Sequence, residues 1–131
     1  MMIEQELIGG CHCKAVQFKV MATNKPDVEH CNCSICSKTG YLHLIVKKEK
    51  FTLLTPWENL AIYRFNTGVA QHYFCKICGV KAFYIPRSNP NGIDVNVRCI
   101  ENLSLNDVNI VEFDGQNWEQ NAHTLAHKTN E

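Results

Sequence analysis

The chain has 131 residues, 45% of them apolar and 20% charged, and its thirteen basic side chains balance thirteen acidic ones. That composition excludes a disordered chain, and the length suits one domain with a single core. Zero net charge removes the bulk electrostatic drive behind most nucleic-acid and membrane-surface binding, so neither partner is expected. We expect one domain over residues 1–131, with its core at about 7–126.

The stretch from Met1 to Gly10 carries Glu4 and Glu6 and no apolar run. It reads as neither a signal nor a transit peptide, and no segment reaches transmembrane length. A cytoplasmic, reducing setting follows as the expectation, in which the eight cysteines are thiols or metal ligands before they are disulfides. Val16, Phe18 and Val20 alternate with Gln17 and Lys19, the pattern of a half-buried strand. Tyr41 to Val46 is a more continuous apolar run, followed by the basic cluster Lys47, Lys48 and Lys50, which reads as a solvated strand end or turn. Further strands are expected at Phe51 to Leu54, Ala61 to Phe65, Gln71 to Phe74, Val80 to Ile85, Ile93 to Val97 and Ile110 to Phe113. Thr55-Pro56, Thr67-Gly68 and the run from Ser88 to Gly92 punctuate them. Trp118, Ala122 and Leu125 fall at i, i+4 and i+7, one face of a helix near the end. The expected architecture is a mainly β, mostly antiparallel domain with one C-terminal helix.

The cysteines carry the chemistry. Cys11 and Cys13 form C-x-C, Cys31, Cys33 and Cys36 form C-x-C-x-x-C, Cys75 and Cys78 form C-x-x-C before Gly79, and Cys99 stands alone. On a strand, C-x-C would place two thiols on one face. In C-x-x-C-G the chain turns around an ion, and glycine can take the positive φ of such a turn. Zinc takes four tetrahedral ligands and accepts thiolates readily. Cys11, Cys13, Cys75 and Cys78 supply four, a closed structural site. Cys31, Cys33 and Cys36 supply three, which leaves a position for water or substrate unless Cys99 or a histidine closes it. Two zinc ions per chain are expected. His12 and His30 would point away from the neighbouring thiols in extended segments and read as surface or outer-shell residues. His72, three residues before Cys75, is ambiguous, and His43, His123 and His127 have no local partner that suggests chemistry. Cys99 reads as a small buried residue at a strand end. Lys14, Lys38, Lys76, Arg87 and Arg98 flank the clusters or follow in adjacent strands, and thiolate-rich zinc sites favour nearby cations.

Three stretches together resemble the glutathione-dependent formaldehyde-activating family: Gly9-Gly10-Cys11-His12-Cys13-Lys14-Ala15-Val16, Cys31-Asn32-Cys33-Ser34-Ile35-Cys36, and Phe74-Cys75-Lys76-Ile77-Cys78-Gly79-Val80. Phe65-Asn66-Thr67, Ala70-Gln71-His72, the run from Phe83 to Pro90, and Phe113-Asp114-Gly115-Gln116-Asn117-Trp118-Glu119 are most similar to its centromere protein V branch. The resemblance implies an Mss4-like (β-tent) zinc fold of small antiparallel sheets. It matches Cys11, Cys13, Cys75 and Cys78 to a structural zinc, and Cys31, Cys33 and Cys36 to a second, substrate-facing zinc. It also implies a carbon–sulfur lyase activity, the joining of formaldehyde and glutathione as S-hydroxymethylglutathione. Zinc at the triad would hold a thiol as thiolate or polarise the aldehyde oxygen. Arg87 and Arg98 are the candidate contacts for glutathione carboxylates, and no Asp, Glu or His marks itself as general acid or base. The competing reading is a zinc-stabilised protein-interaction module related to centromere protein V, with its triad closed by a protein ligand.

Overall fold

The computed structural model describes residues 4–129. Ten strands follow in chain order: β1 (Glu4–Gly10), β2 (Gln17–Thr23), β3 (Asp27–Cys31), β4 (Leu42–Lys47), β5 (Phe51–Leu53), β6 (Leu60–Tyr63), β7 (Gln71–Cys75), β8 (Phe83–Ile85), β9 (Gly92–Asn96) and β10 (Asn109–Phe113). The helix α1 (Ser34–Thr39) lies between β3 and β4, and α2 (Trp118–Asn121) continues as a 3-10 segment over Ala122–Lys128. No helix among the described residues is long and apolar enough to cross a membrane.

The strands form two sheets, one of three strands in the order β1-β2-β5 and one of seven in the order β10-β3-β4-β9-β8-β7-β6. All pairings are antiparallel except that of β3 with β10. The mainly β expectation holds, with this one parallel edge added. In β2, Phe18, Val20 and Ala22 are buried and Gln17 and Lys19 are exposed, as the alternation predicts. The Phe18 ring stacks on Phe51, 5.5 Å between centroids, and Phe51 meets Phe83 of the larger sheet at 4.7 Å. Leu7, Val28, Leu44, Val95 and Phe83 complete this core between the sheets.

The opposite face of the seven-stranded sheet is polar. Side chains alternate across a pleat, so Val28, Leu44, Val95 and Phe83 turn toward the core while their neighbours Glu29, His43, Asp94 and Tyr84 turn away from it. The register lines these up, with Glu29 opposite His43, Tyr84 opposite Asp94 and His72 opposite Tyr84. Glu29, His43, His72 and Asp94 are all buried. A buried polar row of this kind requires partners or a ligand.

Three elements were not anticipated: β1, β3 and α1. Strand β1 exposes Glu4, Glu6 and Ile8 and buries only Leu7 and Gly9, so no apolar run advertises it. Strand β3 hides because one of its two buried residues is Glu29. The expected strand from Val80 to Ile85 shrinks to Phe83–Ile85, because the chain is still leaving the Cys75–Cys78 turn. The basic cluster does lie at a strand end and turn, with Lys50 bonded to Glu4 at 2.5 Å.

Candidate functional site

Cys11, Cys13, Cys75 and Cys78 converge, their sulfurs all within 4.8 Å of one another. Cys11 and Cys13 sit in the turn after β1 rather than on a strand, where Lys14 takes φ 72° and the Cys11 N–H donates to the Val16 carbonyl at 2.9 Å. The C-x-C pair is therefore brought together by a reversal of the chain and not by pleat geometry. Cys75 ends β7 and Cys78 follows in a turn whose Gly79 has φ 77°, as C-x-x-C-G suggests. Cys11 and Cys13 sulfurs are 3.7 Å apart, and Cys13 and Cys75 sulfurs 3.6 Å. A tetrahedron with metal–sulfur bonds of about 2.3 Å has edges of about 3.8 Å, so this donor set fits zinc. Backbone N–H groups of Val16 and Ile77 donate to the Cys11 and Cys75 sulfurs, both at 3.3 Å, stabilising thiolate charge. His12 is exposed beside this cluster. Cys99 is partly buried and belongs to neither cluster; burial pushes its thiol up to about 11.

Cys31, Cys33 and Cys36 form the second cluster, from the end of β3, the residue before α1, and α1 itself. Donation by the Cys31 and Cys36 thiols drives Cys33 far down, the contact with Cys33 pushes Cys31 up, and contacts with Cys31 and then Cys33 raise Cys36. Three sulfurs this close cannot all ionise unaided, and a divalent cation among them removes the conflict. The cysteine loop is clamped to the segment after β10. The Asn32 amide donates to Asp114 at 3.0 Å, and its carbonyl accepts from the Gln116 N–H at 2.9 Å. Gly115 packs so closely that a Cβ there would stand 2.3 Å from the Cys31 sulfur.

His43 gains the partner that its local sequence lacks. Its Nε2 lies 3.0 Å from the Cys36 sulfur and its Nδ1 2.6 Å from Asp94 Oδ2, a carboxylate–imidazole–thiol line running from the sheet into the cluster. This arrangement fixes ring orientation next to a candidate metal ligand. His30 is exposed and pairs with Glu112 at 2.9 Å, an outer role as expected.

The triad opens onto a cavity of about 400 Å³, within the range of small-molecule sites. Glu29, His43, His72, Tyr84 and Asp94 floor it; Phe65, Phe113, Trp118 and Leu125 give it apolar walls. Among the described residues, three buried side-chain polar atoms lack a partner: Glu29 Oε1, His72 Nε2 and Asp94 Oδ1. All three belong to residues lining this cavity. Burial raises Glu29 above its ordinary value, against the opposing pull of Lys128, 2.9 Å from Oε2. Arg87 lines the cavity, stacked 3.8 Å over Trp118 and paired with Glu119 at 2.8 Å. Arg98 is not among the lining residues; its Nε donates to the Gly40 carbonyl at 2.9 Å, so the two arginines proposed from sequence part company. The acid–base candidates missed in the sequence are Glu29, His43, His72 and Asp94. Only Glu29 carries a local signal: it lies two residues before Cys31, on the same face of β3.

The family model described as "Glutathione-dependent formaldehyde-activating enzyme" matches residues 6–120. A Halomonas elongata protein, provisionally named as such an enzyme, is 31% identical over 80 residues, which span 55% of this chain and only 51% of the relative. The crystal structure of a Rhodobacter sphaeroides protein superposes with a TM-score of 0.70 at 33% identity, covering 79% of this chain and 99% of that one. With two cysteine clusters suited to metal and a match that runs through both of them, the chain belongs to the glutathione-dependent formaldehyde-activating enzyme family.

Proposed function

We propose that this protein catalyses the reversible addition of glutathione to formaldehyde, with Cys31, Cys33 and Cys36 holding a catalytic zinc and Cys11, Cys13, Cys75 and Cys78 a structural one. The observation that carries this reading is the cavity onto which the three-cysteine cluster opens, lined by Glu29, His72 and Asp94, each of which holds a buried polar atom without a partner. A closed interaction module has no use for such a floor, whereas a substrate site leaves polar atoms waiting for a ligand.

In the reaction the thiol sulfur bonds to the aldehyde carbon, the carbonyl π bond opens, and the thiol proton ends on the oxygen. The reverse step is a carbon–sulfur lyase reaction. When bound at the triad, zinc supplies positive charge that favours thiolate over thiol at neutral pH. The chain's own residues do the rest. Glu29 takes the thiol proton on its free Oε1 and returns it to the oxygen; burial raises its proton affinity toward that of a useful shuttle. Arg87 offers its guanidinium to a glutathione carboxylate in exchange for the exposed Glu119. His43, held by Asp94, keeps Cys36 in place. The apolar walls hold both small reactants together away from water.

Formaldehyde and glutathione combine without a catalyst, so product formation alone is no test. The measurement is exchange between free and adduct pools by NMR at equilibrium, with substoichiometric protein. Faster exchange with wild type, lost in Cys33→Ser, is the expected result. No acceleration and no glutathione binding would overturn the reading.

A further inference from the structure

As sulfur attacks, negative charge grows on the carbonyl oxygen, and a donor aimed at that charge lowers the barrier. His72 has the properties of such a donor. It sits on β7, only 4% exposed, in the wall of the cavity. Its ring is held between Phe65, 5.3 Å away at 24°, and Tyr84, 4.8 Å away at 12°. Its Nδ1 lies 2.6 Å from Lys81 Nζ. A lysine ammonium has three donors and no acceptor, so Nδ1 must accept and the ring proton resides on Nε2. That Nε2 is buried and has no partner. Burial lowers Lys81 to about 8, which leaves it cationic at neutral pH, and the faces of Tyr84 at 3.9 Å and Tyr41 at 4.9 Å favour that cation. Asp94 and the sulfurs of Cys36 and Cys33 act in the same direction against the cost of burial. A second positive charge on His72 is opposed by its burial and then by Lys81.

We propose that Lys81 locks His72 as the neutral Nε2–H tautomer, and that this N–H receives the aldehyde oxygen during addition. The oxygen role rests on the function proposed above; the tautomer lock does not. A neutral imidazole stabilises the developing alkoxide by hydrogen bonding and keeps its own proton, which leaves protonation to Glu29. Lys81 is then a positioning residue acting through His72.

The test uses zinc-loaded protein labelled with ¹⁵N in histidine. Long-range ¹H–¹⁵N spectra without substrate should show His72 neutral, with its proton on Nε2. Lys81→Met should move the ring toward the Nδ1–H tautomer while both zinc ions are retained. In the exchange assay His72→Phe should lower kcat by about 10²- to 10³-fold, the loss typical of a missing oxyanion donor, with glutathione affinity within about threefold of wild type. His72→Gln, which keeps an N–H donor, should recover part of that rate. A wild-type proton on Nδ1 overturns the lock, and a His72→Phe rate within a few-fold of wild type overturns the oxygen role. If wild type accelerates no exchange, the proposed function and the oxygen role fail together, while the substrate-free spectrum still decides the lock.

Discussion

Gly115→Ala isolates the three-cysteine site from the rest of the molecule. The added Cβ would stand 2.3 Å from the Cys31 sulfur and 2.9 Å from the Cys33 Cβ. Ordinary heavy-atom contact begins near 3.5 Å, so the loop or the sulfur must yield by about 1 Å. Gly115 is not among the positive-φ residues, so the strain is steric and local rather than conformational. Overpacking of this kind costs about 1–3 kcal/mol. Displacement of a ligand by that distance spoils a tetrahedral site, and the weakening should be at least the 10- to 100-fold typical of disturbed outer-shell contacts. The four-cysteine cluster draws its ligands from Cys11, Cys13, Cys75 and Cys78 and should be untouched. Competition with a colorimetric chelator should therefore resolve one zinc of wild-type affinity and one bound roughly tenfold or more weakly. Two zinc ions of wild-type affinity would refute the role of the glycine contact, and loss of both would refute the independence of the sites.

Three further outcomes follow from the same geometry. Cys75→Ser should unfold much of the protein, because metal binding at a closed site is largely folding free energy, whereas Cys33→Ser should leave a folded chain with one zinc and no acceleration of exchange; circular dichroism with metal analysis reads both, and the opposite pattern would swap the two assignments. Glu29→Gln keeps the shape of the side chain but removes its proton, so the exchange rate should fall about 10²-fold or more at unchanged zinc content; an unchanged rate would take Glu29 out of the proton path. Burial and then Lys81 depress His72 from 6.5 to about 4. The unfolded chain thus takes up a proton that the folded chain refuses between those values, and stability is lost as pH falls from about 6.5 toward 4. Urea titrations of His72→Phe should show a flatter stability profile than wild type across that window, and parallel profiles would contradict it.

Much of this site could be read from the chain before it folds. The cysteine spacings separate a four-ligand from a three-ligand cluster, and the structure groups the same seven residues in the same way. Gly79 is legible because a tight turn after C-x-x-C calls for positive φ, which it has. The polar floor was not legible. His43 meets Cys36 from the next strand, and Asp94 reaches His43 across 51 residues of sequence. Such meetings depend on strand order and register, which no local pattern encodes. Burial of Glu29 inverts the usual rule that a carboxylate marks the solvent side, so β3 loses its legible alternation at that position. The separation of Arg87 from Arg98 has the same origin, since β9 and the turn after it carry Arg98 to the Gly40 end of α1.

The parallel pairing of β10 with β3 bears on how the protein matures during synthesis. All four ligands of the first cluster have left the ribosome tunnel once residue 78 emerges, so that knot can load its metal early. The second cluster has its three sulfurs sooner still, but its cavity does not exist until β10 pairs alongside Cys31, Gly115 closes on the loop, Trp118 adds a wall and Lys128 reaches Glu29. A metal held there before those contacts form would sit in an open thiol loop. The cavity is thus completed only after both cysteine clusters have emerged, later than the scaffold that supports it.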